Sequence, residues 1–151
     1  MYECADPAIA VPLIAAFPDA TLSQNFRISQ FRAGLPSING MPESYDYVRV
    51  SPALIAALEE IRERAGQPLT ILSGYRPPDY NRAVGSKSDS THVDGLAADI
   101  YCAGLQANGV TSPSTEELRD ICNEVIGQSG GVGYHSKSKY VHVDVRGHKA
   151  R

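Results

Sequence analysis

A carboxylate is set into the most apolar strand-like stretch of the chain, where Asp99 stands between Ala98 and Ile100 in Leu96-Ala97-Ala98-Asp99-Ile100-Tyr101. A charge there is costly to bury unless it is paired or binds a metal ion. The fold must therefore bring a partner to it. His92 lies upstream at the end of the polar stretch Ser86 to Thr91, and Gly95 permits a tight turn between the two. A second pattern, Tyr140-Val141-His142-Val143-Asp144, alternates with a period of two. Strand geometry places Tyr140, His142 and Asp144 on one face and Val141, Val143 and Val145 on the other. Two imidazoles and one carboxylate are a known ligand set for catalytic zinc, with the fourth position left to water. A metal so held lowers the pKa of that water and polarises a bound carbonyl, as amide hydrolysis requires. Spacing alone leaves this reading level with a structural one, in which the histidines only hydrogen-bond within their strands.

Composition narrows the function classes. The 151 residues suit one domain and are too few for two separate cores. Hydrophobic residues at 42% and charged residues at 21% fit a globular chain. A net charge of -3 excludes a broad electropositive face, and with it a nucleic-acid binder held by phosphate contacts. No apolar run is long enough to cross a membrane as a helix, so no membrane insertion is expected. Glu3 and Asp6, with no basic cluster, make Pro7 to Phe17 a poor signal peptide. The expectation is a chain made without a leader or one whose leader has been removed. Cys4, Cys102 and Cys122 lack the spacing of a closed structural zinc site. They cannot all pair within one chain, and spacing does not decide whether Cys102 and Cys122 do.

Order along the chain is uneven. Pro7, Pro12, Pro18, Pro36 and Pro42, with Gly34 and Gly40, interrupt the first fifty residues, which read as an irregular wrapping arm. Within it Ala8 to Phe17 suggests a short helix, and Phe26, Ile28 and Phe31 a turn or extended segment with buried aromatics. Ser51-Pro52 predicts a helix start. Leu54, Leu58, Ile61 and Ala65 then recur at helical spacing until Gly66. Leu69 to Leu72 and Leu96 to Tyr101 read as strands, Asp79 to Val84 as one or two helical turns, and Ser86 to Thr91 as an exposed loop. Ser114 and Glu117 form a capping box for a helix that buries Leu118, Ile121, Cys122 and Val125 and ends at Gly127. Val132 to Tyr134 and Tyr140 to Val145 complete an α+β set. That set is a small antiparallel sheet carrying the site, two main helices and the arm. Residues 1–151 form one domain, with the arm over 1–50 and the core over 51–147.

Ser73-Gly74-Tyr75-Arg76-Pro77, Asn81, Val84-Gly85, Ser90-Thr91-His92, Gly95-Leu96-Ala97-Ala98-Asp99 and Tyr140-Val141-His142-Val143-Asp144 occur in that order. This series resembles the zinc D-alanyl-D-alanine peptidases, the LAS-type metallopeptidases with the hedgehog-like fold. Gly130-Gly131-Val132-Gly133-Tyr134 is similar to their murein endopeptidase branch. The likeness runs from about Asn25 to Gly147. It implies His92, Asp99 and His142 as ligands of one zinc ion per chain. It implies Arg76 as the arginine that holds a substrate carbonyl or carboxylate and steadies the developing oxyanion, a role a fixed cation can fill. Arg76 otherwise reads as a surface residue of a Pro-rich turn. Ser90 and Tyr140 are the further substrate-binding candidates, and Ser90 alternatively supports the metal loop.

One departure stands out. Many members of the family carry an acidic general base three residues before the last histidine, where this chain has Lys139. Lysine cannot serve there at neutral pH unless strongly perturbed. Asp144 is then the first candidate base, with orientation of a zinc-bound imidazole as its other role. His135, placed in the loop before the last strand, is the second candidate, and His148 is expected to be solvent-exposed and uninvolved. The implied function is hydrolysis of a peptidoglycan stem-peptide bond at D-alanine, by a D,D-carboxypeptidase or an endopeptidase of endolysin type. The alternative is a zinc-containing binding domain of the same fold without catalysis, kept open by Lys139. The implied partners are stem peptides, the implied state is a monomer, and the implied place of action is periplasmic or extracellular, as a phage lysin or an exported enzyme.

Overall fold

The computed structural model describes residues 11–32, 46–83, 85, 90–102 and 113–147. Its elements run β1 (Ile14–Ala15), β2 (Tyr47–Val48), α1 (Pro52–Ala65), β3 (Leu69–Ser73), α2 (Pro78–Ala83), β4 (Ala97–Cys102), α3 (Thr115–Ile126), β5 (Gly131–His135) and β6 (Tyr140–Asp144). Both long helices start where their caps predict. Ser51 Oγ accepts the Ala53 N–H at 3.1 Å, and Pro52 opens α1. Ser114 and Glu117 exchange hydrogen bonds at 3.1 Å each across the first turn of α3. α1 buries Leu54, Ile55, Leu58 and Ile61 and ends at Gly66 in the left-handed conformation. α3 buries Leu118, Cys122 and Ile126, while Ile121 and Val125 are half-buried.

Four strands form one antiparallel sheet in the order β3-β4-β6-β5. Register decides what the sheet presents. Asp99 pairs with His142, and His142 pairs with Gly133 on its other side. Because side chains alternate, Asp99, His142 and Gly133 share a face. Ala98, Ile100, Val141 and Val143 belong instead to the core shared with Leu54, Leu58, Leu118 and Cys122. The fold is α+β: α3 lies against β4, β5 and β6, α1 packs on α3, and both helices share one core with the sheet.

The arm departs from one expectation. Residues 11–17, expected within a helix over Ala8 to Phe17, hold β1, which pairs antiparallel with β2. Pro12 cannot donate to a helical ladder. The chain instead satisfies its backbone across space, as in the Ala16 N–H bond to the Asp46 carbonyl at 2.7 Å. The rest of that expected helix, residues 8–10, lies outside the described residues. A 3-10 turn at Ile28–Phe31 follows Phe26, and both phenylalanines are buried against the core. Glu59 of α1 pins this part of the arm. Its carboxylate accepts from Ser23 Oγ at 2.6 Å, the Asn25 N–H at 2.9 Å and Asn25 Nδ2 at 2.6 Å. Of the loop expected over Ser86 to Thr91, residues 86–89 lie outside the described residues, and Ser90 and Thr91 are half-buried rather than exposed. Cys4 and His148 also lie outside them. Cys102 and Cys122 are free thiols, and burial pushes that of Cys122 up to about 12.

Candidate metal centre

Three elements converge on one point. His92 comes from the turn before β4, Asp99 from the middle of β4 and His142 from its register partner in β6. Asp99 Oδ1 lies 3.0 Å from His142 Nδ1 and 3.3 Å from His92 Nε2. One ligand atom from each of the three falls within 4.8 Å of the others. Among the described residues this is the one such group of three or more His, Cys, Asp or Glu side chains.

The outer hydrogen bonds decide which nitrogen each ring offers. His92 is buried, and its Nδ1 lies 2.7 Å from the Gly74 carbonyl oxygen. A carbonyl only accepts, so Nδ1 carries the proton and Nε2 keeps the lone pair. His142 is arranged the other way round. Its Nε2 lies 2.9 Å from Asp144 Oδ2, which leaves Nδ1 toward Asp99 and His92. Both imidazoles therefore turn a ring nitrogen to the same point beside one carboxylate oxygen. The donor set and its closeness fit a zinc ion.

Charge follows the same geometry. Burial pushes the Asp99 pKa up, but hydrogen bonds from His142 and His92 outweigh it and hold the carboxyl well below the usual carboxylate range. Burial lowers the His142 pKa, yet its hydrogen bonds to Asp144 and Asp99 raise it to about 9. For Asp144 burial again acts upward, and the Arg146 and His142 hydrogen bonds win, so it stays ionised. A metal ion held by His92, Asp99 and His142 would take the place of the proton that Asp99 otherwise stabilises on His142.

The remaining candidates fall around this point. Arg76 follows β3, with Nη2 at 3.4 Å from Asp99 Oδ2, Nε at 3.1 Å from Ser73 Oγ, and its backbone N–H on the His92 carbonyl at 3.1 Å. It is a site residue by position, not a remote surface arginine. Ser90 Oγ accepts the His92 N–H at 3.3 Å and so braces the metal turn. Tyr140 is half-buried on the ligand face. Burial and the Asp99 charge raise its pKa, against the opposing effect of Arg76. His135 is the last residue of β5 rather than part of a loop. Its ring is exposed and stacks on Tyr140 at 4.4 Å, with 13° between the planes. Register puts His135 opposite Tyr140, on the same face as His142. A side chain on Gly133 would meet both His142 Cβ, at 3.4 Å, and His135 Nε2, at 3.7 Å. Lys139 is exposed in the β5–β6 turn at φ 56.

Asp144 does not stand open to the site. It is 0% exposed, and both oxygens are engaged by Gly131, Arg146 and His142. Sequence reasoning missed three of the residues that steady the centre. Arg146 carried a signal, an arginine two residues past Asp144, just beyond the end of the alternating strand. Gly74, acting through its carbonyl, and Ser73, on the Arg76 guanidinium, stood in the block around Arg76, but no pattern there pointed to these roles. The arm also reaches the site. A Cβ at Gly74 would stand 2.8 Å from Phe31 Cα, and the Tyr75 N–H bonds the Phe31 carbonyl at 3.0 Å. The segment that fixes His92 is thus packed against the arm, closer than any side chain at Gly74 would allow.

The Peptidase M15 family profile matches residues 25–144. The peptidoglycan L,D-endopeptidase MepK of Escherichia coli (strain K12) is 28% identical over 102 residues, which cover 63% of this chain and 50% of that protein. The protein of the same name in Shigella flexneri matches to the same extent. The probable peptidoglycan L,D-endopeptidase MepK of Haemophilus influenzae is 30% identical over 104 residues, covering 64% of this chain and 50% of its own length. The chain thus spans about half the length of the curated relatives it matches.

Proposed function

The chain belongs to the Peptidase M15 family, and on that premise we propose that it is a zinc-dependent endopeptidase of peptidoglycan stem peptides. The observation that carries this reading is the convergence of His92 Nε2, Asp99 Oδ1 and His142 Nδ1, with the ring tautomers set by Gly74 and Asp144. His92, Asp99 and His142 would hold one zinc ion, which when bound polarises the scissile carbonyl and acidifies water. Arg76 lies beside the ligand carboxylate and is the cation placed to steady charge on the substrate oxygen. Tyr140 and Ser90 line the approach of the peptide.

The proton acceptor is His135. It shares the ligand face, is exposed, and leans over the open position at Gly133 toward His142. Asp144 suits the role less well, because its oxygens are already filled and it meets His142 on the nitrogen turned away from the centre. Its part is to orient that ring. The reading places this chemistry in one domain, acting as a monomer on the wall in the periplasm or outside the cell.

The names of the relatives favour an L,D bond. The D-alanine bond expected from sequence is the second specificity. A non-catalytic zinc domain is the second function, favoured only by Lys139 at the place of an acid. Incubating the purified chain with peptidoglycan, with and without chelator, and weighing the released fragments tests all of these. Chelator-sensitive fragments ending at an L,D bond are the expected result. Fragments ending at D-alanine select the other specificity, and bound zinc without any release selects the binding domain. A chain that takes up no zinc at neutral pH overturns the metal reading. His135→Gln should lower turnover by roughly 10²- to 10⁴-fold with zinc retained.

A further inference from the structure

The proposed chemistry does not explain how Asp144 is held. A wholly buried carboxylate must have its charge matched and its lone pairs filled. Oδ1 accepts the Gly131 N–H at 3.0 Å, the Arg146 N–H at 3.3 Å and Arg146 Nε at 2.7 Å. Oδ2 accepts Arg146 Nη2 at 2.5 Å and His142 Nε2 at 2.9 Å. Arg146 therefore grips both oxygens, in the two-point fork that guanidinium and carboxylate share. The other wall of this cradle is the Gly130-Gly131 corner. A Cβ at Gly130 would lie 1.8 Å from the Asp144 carbonyl oxygen, so only glycine lets the backbone pass close enough for the Gly131 N–H to reach Oδ1.

We propose that Arg146 is a positioning residue of the metal centre. By fixing both oxygens of Asp144 it sets Oδ2 against His142 Nε2, and so fixes the ring plane and the tautomer that turn Nδ1 toward Asp99 and His92. The inference rests on the zinc reading above. Charge alone does not do this work. A lysine at 146 would supply a positive point but not the fork, leaving the carboxylate to turn about its side-chain bond and carry the hydrogen bond away from the ring.

The test measures zinc affinity of the full chain against a chromophoric chelator, together with ¹⁵N NMR of the His142 ring in the zinc-loaded protein. Arg146→Ala should weaken zinc binding by about 10- to 100-fold, the scale for a lost partner of a ligating histidine. Arg146→Lys should fall between that variant and the parent. The parent ring should show a protonated Nε2 and a metal-bound Nδ1, and Arg146→Ala should show loss of that single state. Melting curves of the chelated proteins identify any variant that fails to fold, and Arg146→Lys then carries the comparison. Parent-like affinity in folded variants overturns the proposal, and so does weakened affinity with unchanged His142 nitrogen shifts. A parent that binds no zinc overturns the metal reading itself, and this proposal with it.

Discussion

Replacing Asp144 with asparagine should damage the metal centre without altering a ligand. The variant keeps the size of the side chain but exchanges one oxygen for an NH₂ group. Oδ1 serves donors from Gly131 and Arg146, and Oδ2 serves donors from His142 and Arg146. Either rotamer of the amide thus turns its NH₂ on at least two donors. With that group toward His142, the ring regains a hydrogen bond only by offering a lone pair at Nε2 and moving its proton to Nδ1. A ring in that state cannot ligate through Nδ1. Losing such a partner costs about 10- to 100-fold in metal affinity, or about 1.4 to 2.8 kcal/mol. The metal-free fold should weaken as well. Breaking one side of a buried ion pair costs about 3 to 5 kcal/mol, and the lower end applies because the Arg146 side chain keeps 27% of its exposure. The assay is a zinc titration against a chelator, paired with peptidoglycan hydrolysis at graded free zinc. At a zinc level that nearly saturates the parent, the variant should be poorly filled and slow, and a roughly 100-fold rise in zinc should restore most of its turnover. Unchanged metal affinity with a rate lowered by about 10²- to 10⁴-fold is the signature of a lost proton acceptor. That result would return the base role to Asp144 and refute the argument from its filled oxygens.

Arg76→Ala should lower turnover by roughly 10²-fold or more, the scale for a lost oxyanion donor, while zinc content measured by elemental analysis stays near one per chain. Zinc affinity should rise with pH by about tenfold per unit and level off above about 9, because the His142 proton must leave before its Nδ1 can ligate; a flat profile between pH 6 and 8 contradicts this. Without metal the sign reverses. A folded-state His142 pKa raised from 6.5 to about 9 adds stability that is full below pH 6.5 and is lost as pH rises through 9. The loss from His142 between pH 7 and 10 is on the order of 2 to 3 kcal/mol by linkage, read as the difference in denaturant unfolding between the chelated parent and His142→Gln.

The sequence by itself determined the helices from Ser51 onward, the four strands of the larger sheet and the chemical types at the centre. Ser51-Pro52 and the Ser114–Glu117 box act through bonds one turn away, so their outcome is local and legible. The alternation around His142 and the lone carboxylate at Asp99 likewise follow from geometry within a few residues. What lay across the fold was not legible. Residues 11–17 hold a strand rather than the expected helix because β1 is made by its pairing with residues 47–48, and no pattern inside that segment records its partner. The choice between the two roles of Asp144 depended on whether its oxygens were open. An arginine fork after β6 and a glycine corner before β5, brought together by strand register, occupy those oxygens. His135 gained its place in the same way, because pairing with Tyr140 put it on the ligand face. Local sequence selects which groups a strand carries. Only tertiary packing decides which of their atoms remain free to react, because hydrogen bonds from distant segments use up the rest.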